Sequence, residues 1–139
     1  MKKLLLIALL FFAAATTKAQ DDFDKIVYKE VEVEPAFPGG MLKWGKFLRD
    51  TINFEALYKN DPPVGKYKVE LSFVIERDGS VTEVKVKTDP KECPDCTKEA
   101  IRVLKLSPKW TPGVQNGRNV RVSYTIPFSF TIPEKDDRE

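Results

Sequence analysis

The chain has 139 residues, with 23 Lys and Arg against 21 Asp and Glu, and no His. Its length fits a single domain. The lack of His excludes Ser-His-Asp and Cys-His catalysis, and it also excludes histidine metal sites. We therefore expect a protein that is not an enzyme and that holds no metal and no cofactor.

Residues 1–19 have the features of a cleavable export signal. Lys2 and Lys3 precede a 12-residue apolar run at residues 4–15, and Thr17-Lys18-Ala19 provides a small-residue cleavage site. A bilayer span needs about 20 apolar residues, so we predict cleavage near Ala19 and a periplasmic location. Cleavage would leave 20 basic and 21 acidic residues. This near-neutral balance does not favour nucleic acid or an anionic membrane as the partner.

Residues 20–34 are predicted to form an N-terminal arm before a domain at residues 35–133. Within the arm, residues 26–34 carry β-branched side chains with a partial period of two, which fits a short strand or an extended segment. Residues 35–40 contain two prolines and two glycines and are expected to turn. Residues 41–52 then place apolar side chains three and four positions apart, which predicts a helix with one apolar face.

Two strands joined by a hairpin follow this helix. Residues 66–76 and 81–88 alternate apolar and polar side chains, which indicates strands with one face on a core. Asp78-Gly79 lies between them and is typical of a tight hairpin turn, in which the central residues need positive φ angles. We therefore predict that these two strands pair antiparallel.

A C-x-x-C motif precedes the second predicted helix, residues 97–106, for which Asp95 or Thr97 is the expected N-cap. Redox proteins use thiols at a helix N-terminus, but their motif follows the first strand of a βαβ unit, and here it follows a hairpin. Export favours a disulfide between Cys93 and Cys96 instead. Two thiols without His are also too few ligands for zinc.

The last predicted strand carries the functional hypothesis. Residues 119–132 alternate without a break, and Pro127 cannot donate a ladder hydrogen bond, which predicts an edge strand. Such a strand offers unpaired N–H and C=O groups to another chain, either an extended peptide of an envelope protein or a second copy in a homodimer. Arg121 is either a contact for an acidic group of the peptide or a charge that deters aggregation. The predicted binding positions are Asn119, Arg121, Ser123, Thr125, Ser129 and Thr131.

The order of the elements predicts an α+β fold. The second helix returns the chain across the sheet, so the last strand should run antiparallel to the first and pair beside it. The result is a three-stranded antiparallel or mixed sheet with the spatial order 2-1-3. Both helices pack on one face, and residues 134–139 form a charged tail.

Several motifs match one known pattern when they are taken together. They are Pro35, Phe37-Pro38-Gly39-Gly40, the hairpin at 73–79, Ala100, Pro108-Lys109-Trp110, Pro112-Gly113, Gly117 and Ile126-Pro127-Phe128-Ser129-Phe130. With them the chain resembles, over residues 30–132, the C-terminal domain of TonB, the energy-transducing protein of Gram-negative envelopes. It is most similar to short, stand-alone members of that family.

The resemblance implies a periplasmic domain whose last strand accepts the TonB box of an outer-membrane receptor in TonB-dependent transport. The alternative is a secreted peptide-binding or inhibitor module with the same layout and no link to transport. A third hypothesis, a dithiol enzyme, rests only on Cys93 and Cys96.

Overall fold

The structure, a computed structural model, describes residues 22–135. The predicted signal segment at 1–19 and the end of the charged tail at 136–139 lie outside the described residues. Between residues 22 and 135, no helix is long and apolar enough to cross a membrane.

The described chain forms an α+β domain, as predicted. Residues 22–25 are helical. The elements that follow are β1 (Val27–Tyr28), α1 (Gly40–Thr51), a 3-10 helix (Phe54–Tyr58), β2 (Gly65–Ile75), β3 (Val81–Thr88), α2 (Pro94–Lys105), β4 (Gly113–Gln115) and β5 (Arg118–Ile132).

The predicted strand order is confirmed, because β2 lies between β3 and β5 and pairs antiparallel with both. The sheet has five strands rather than three. The short strand β1 pairs parallel with β5, and β4 pairs antiparallel with the first residues of β5. The strand β1 falls within residues 26–34, for which the sequence allowed a short strand or an extended segment. The strand β4 has three residues, too few for a period of two to be visible in the sequence.

The core lies between one face of the sheet and the two helices. At its centre, Phe37, Trp44 and Trp110 contact one another with ring centroids 5.2–5.6 Å apart. Such aromatic contacts add to the free energy gained from burial alone. Phe37 precedes α1, Trp44 lies on α1, and Trp110 follows α2, so this cluster joins the segments that cover the sheet.

The predicted N-cap of α2 is wrong. The helix begins at Pro94, a residue favoured in the first turn, and its N-cap is Cys93, which makes no side-chain capping bond. Asp95 is instead buried, and its Oδ2 accepts hydrogen bonds from the backbone N and the Nδ2 of Asn60 at 3.0 and 2.8 Å. Thr97 donates a hydrogen bond to Asp89.

A second buried carboxylate on α2 also holds the loop before β2. Glu99 accepts a hydrogen bond from the backbone N of Asn53 at 2.7 Å and forms an ion pair with Arg102. The hydrogen bonds from Arg102 are the main reason that the pKa of Glu99 lies below its ordinary value. Asp95 and Glu99 therefore fix the two ends of the segment that contains the 3-10 helix.

Cys93 and Cys96 form the predicted disulfide, and both side chains are fully buried in the core. A substrate disulfide has no access to buried sulfur atoms, which speaks against the dithiol-enzyme hypothesis.

We expect a modest loss of stability when both cysteines are replaced by Ala. The closed loop is very short, so the chain-entropy estimate is about 2 kcal/mol. Urea unfolding of the double variant measures this loss, and the oxidised and reduced wild-type protein provide the control. A loss above about 5 kcal/mol would contradict a minor structural role for the disulfide.

Candidate peptide-docking site

The hairpin between β2 and β3 defines which backbone groups of β2 face β5. Glu76 donates its N–H to the carbonyl of Ser80 and accepts from the N–H of Gly79, both at 2.9 Å. Both groups of Glu76 therefore point towards β3. Because these directions alternate along a strand, the groups of Ile75 point towards β5, where Ile75 pairs with Val122.

The same alternation gives the direction of the backbone N–H and C=O groups at every position of β5 that pairs with β2. The register runs without interruption from the Gly65–Ile132 pair to the Ile75–Val122 pair. Even-numbered residues of β5 therefore bond to β2, and odd-numbered residues point their N–H and C=O groups away from it. Pro127 is odd-numbered, so its missing N–H removes no bond of the β2–β5 ladder.

The prediction that the whole last strand is an edge is wrong for its first residues. Arg118–Val120 pairs with β4, and Arg121 and Val122 pair with β1. Two of the six predicted binding positions fall in this part. Asn119 lies opposite Val114 and donates through Nδ2 to the carbonyl of Arg77.

Arg121 pairs with Val27 of β1, and its side chain is also engaged. Its guanidinium contacts Glu76 at 2.7 and 3.0 Å and Glu83 at 3.0 Å. It is therefore already paired and does not offer a free charge to a docked peptide. The sequence pattern did not reveal this because both acidic partners belong to the hairpin, far away along the chain.

The remainder of β5 is an open edge. From residue 123 onwards, β5 has no neighbouring strand on its outer side within residues 22–135. Thr125, Ser129 and Thr131 are exposed, and Ser123 is half-buried. Residues 123–132 contain no charged side chain, and their pairing with β2 contains no bulge. We call residues 123–131 the open edge.

The opposite edge of the sheet, β3, has features that oppose pairing. It carries Lys85 and Lys87, its pairing with β2 shifts register twice, and Glu83 has a φ of 50°. Charged side chains, proline and bulges are the common protections of edge strands. The open edge has one proline, Pro127, and no charged side chain or bulge, so the two edges differ in their readiness to accept another strand.

The ion pairs of Arg121 with Glu76 and Glu83 link β5, just before the open edge, to the hairpin. The hydrogen bond from Arg121 is the main cause that lowers the pKa of Glu76, and the same contact raises the pKa of Arg121. Both side chains are about one-fifth exposed, so solvent screens this pair only in part.

We expect Glu76→Gln to lower the free energy of unfolding by about 1 kcal/mol at pH 6. The folded-state pKa of Glu76 lies below the unfolded value, so the stabilisation is complete above about pH 4.3 and is lost as the pH falls through the folded pKa. The difference between wild type and variant should therefore shrink from pH 6 to pH 2.5 in urea unfolding. A difference that stays constant over this range would contradict the assignment. Glu83→Gln, at a more exposed carboxylate, is the matched control with the smaller expected change.

Residues 68–132 match the family model described as Gram-negative bacterial TonB protein C-terminal. The match begins within β2 and ends at the last residue of β5, so it contains the hairpin, α2 and the open edge. This part of the chain is similar to the TonB C-terminal family. Searches of curated proteins and of solved structures returned no match.

The TonB C-terminal match confirms the resemblance and covers less of the chain than the sequence motifs did. It begins after the Pro-rich turn at 35–40 and after α1. TonB C-terminal domains are non-enzymatic protein-interaction domains of the Gram-negative periplasm, and they interact with outer-membrane receptors. Among residues 22–135, no three His, Cys, Asp or Glu side chains are grouped so that they could hold a metal ion.

Proposed function

We propose that this protein is a periplasmic TonB-like domain that binds an extended segment of an outer-membrane receptor, its TonB box, by strand addition in TonB-dependent transport. The segment would lie along the open edge and form main-chain hydrogen bonds with its odd-numbered residues. The observation that carries this proposal is the difference between the two sheet edges. Only β5 presents a long strand edge without charges or bulges among the described residues.

The chemistry of this edge suits a partner that is recognised mainly through its backbone. Strand addition derives its affinity from main-chain hydrogen bonds, while side chains supply selectivity. Each such bond contributes about 0.5–1.5 kcal/mol net. The open edge presents outward N–H groups at Ser123, Thr125, Ser129 and Thr131, and outward carbonyl groups at the same positions and at Pro127. Several bonds together can therefore provide useful affinity.

The test is a calorimetric titration of the protein with a synthetic TonB-box peptide. A peptide of the same composition in scrambled order is the control. Saturable binding of the TonB-box peptide, weaker or absent for the scrambled peptide, would support the proposal. Equal binding of both peptides would favour the alternative, a peptide-binding or inhibitor module unrelated to transport. Absence of binding to either would overturn docking of this segment.

A further inference from the structure

Residues 22–28, which we call the strap, pair with the outer edge of β5 just before the open edge begins. Within the strap, Val27 pairs with Arg121 and Tyr28 with Val122. Both β1 and a docked peptide would use the outward groups of β5. The strap therefore occupies the position into which a peptide strand on the open edge would extend.

The contacts that hold the strap are few, and most lie at the surface. The exception is the Asp24 Oδ1 atom, which is itself buried. Arg121 Nη1 also donates a 3.4 Å hydrogen bond to the carbonyl of Lys25. Asp24 Oδ1 is 2.7 Å from Arg77 Nη2, with both side chains 38% exposed. Phe23 lies under the guanidinium groups of Arg77 and Arg118, at 5.8 and 5.7 Å from its ring centroid. Exposed ion pairs contribute little because water and salt screen them, and a two-residue strand adds few hydrogen bonds.

The chain after the strap is held more firmly. Val33 exchanges two backbone hydrogen bonds with Val114, at 3.1 and 2.9 Å, and Ala36 exchanges two with Thr111, at 3.0 and 2.8 Å. Phe37 is buried in the aromatic cluster. The strap can therefore detach from β5 while residues 33–37 remain in place and the core stays closed.

The proline in the open edge determines where a partner gains most from pairing. Outward N–H groups lie at odd-numbered positions, and Pro127 interrupts this series. On the C-terminal side of Pro127, only Ser129 and Thr131 remain as outward donors. On its N-terminal side, Arg121, Ser123 and Thr125 form an uninterrupted run of outward donors. A partner that uses this run must take the place of β1 at Arg121.

We propose that the strap and the docked peptide exclude each other, so that the strap lowers the apparent affinity of the docking edge until it is displaced. The proposal rests on the proposed function. A strap that is closed for about nine-tenths of the time lowers the apparent affinity about tenfold, because only the open fraction binds. The N-terminal arm thereby regulates access to the edge.

The test compares peptide affinity between the wild-type chain and the double variant Phe23→Ala/Asp24→Asn. This variant removes the ion pair and both cation–π contacts of the strap and leaves β5 unchanged. We expect the dissociation constant of the TonB-box peptide to fall several-fold, up to about tenfold. Asp22→Asn, which changes the same charge on a neighbouring exposed residue, should leave it unchanged.

A second measurement follows the strap directly. In hydrogen–deuterium exchange of the wild-type chain with saturating peptide, the amides of residues 26–28 should exchange faster, while Val33 and Ala36 keep their protection. Equal peptide affinity of wild type and double variant, or unchanged exchange at residues 26–28, would overturn the proposed exclusion between strap and peptide. Docking at the open edge would still stand. Absence of peptide binding to both proteins would overturn the docking function, and the strap with it.

Discussion

The Thr125→Pro variant is expected to remain folded and to lose peptide binding by more than tenfold. Thr125 points its N–H away from β2, so proline there removes a donor from the open edge and not from the core ladder. The ring also projects towards the approaching strand. Pro127 shows that this fold accommodates proline at a position of β5 whose N–H would point away from β2. The free energy of unfolding should therefore stay within about 1 kcal/mol of the wild-type value.

Two matched variants separate the backbone effect from side-chain and folding effects. Thr125→Ala removes the side chain and keeps the outward N–H, so it should retain most of the peptide affinity. Ile126→Pro removes an N–H that faces β2 and should destabilise the domain strongly. Titration by calorimetry, with circular dichroism as the folding control, distinguishes the three. A folded Thr125→Pro protein with unchanged affinity would show that the peptide docks elsewhere.

The second large effect is expected at Gly79, in the hairpin turn between β2 and β3. Its φ is 86°, and a Cβ at this position would overlap the backbone carbonyl oxygen of Trp110. Trp110 in turn donates its N–H to the carbonyl of Gly79 at 2.8 Å. The turn therefore packs directly against the segment that leads from α2 to β4, and only a residue without a side chain fits there.

We expect Gly79→Ala to lower the free energy of unfolding by about 2–5 kcal/mol. The left-handed backbone accounts for about 1–2 kcal/mol of this loss, and the forced movement of the Trp110 backbone for about 1–3 kcal/mol. Gly117→Ala is the control, because Gly117 has a φ of 72° with open space around its Cα. The control should show only the first of the two losses in urea unfolding. Equal losses at both positions would contradict the close packing at Gly79.

Periodic patterns in the sequence predicted the long elements well. The predicted helix at 41–52 and the predicted strands at 66–76, 81–88 and 119–132 agree with the structure within one residue at each end. Each of these segments is long enough for its apolar period to be read, and each buries one face. Pro127 also indicated correctly that the β5 residues after Val122 lie at an edge.

The parts that the sequence did not predict depend on contacts between distant residues. A short strand within residues 26–34 was one of two predicted alternatives, but its pairing with β5 arises only because Val27 and Tyr28 meet β5 in the folded domain. The pairing of Arg121 with Glu76 and Glu83 likewise requires the hairpin to lie beside β5. No local pattern in the sequence marks such contacts. The predicted binding positions therefore included Asn119 and Arg121, which precede the open edge.

The location of the docked strand can be tested most directly by amide hydrogen exchange, measured residue by residue with NMR on the wild-type chain with and without saturating TonB-box peptide. Strand addition predicts a strict alternation: the outward amides of Ser123, Thr125 and Ser129 gain protection, while the inward amides of Tyr124, Ile126 and Phe128 keep the protection that pairing with β2 already provides. Protection that appears on β3, or that leaves the odd-numbered residues of β5 unchanged, would contradict docking at the open edge.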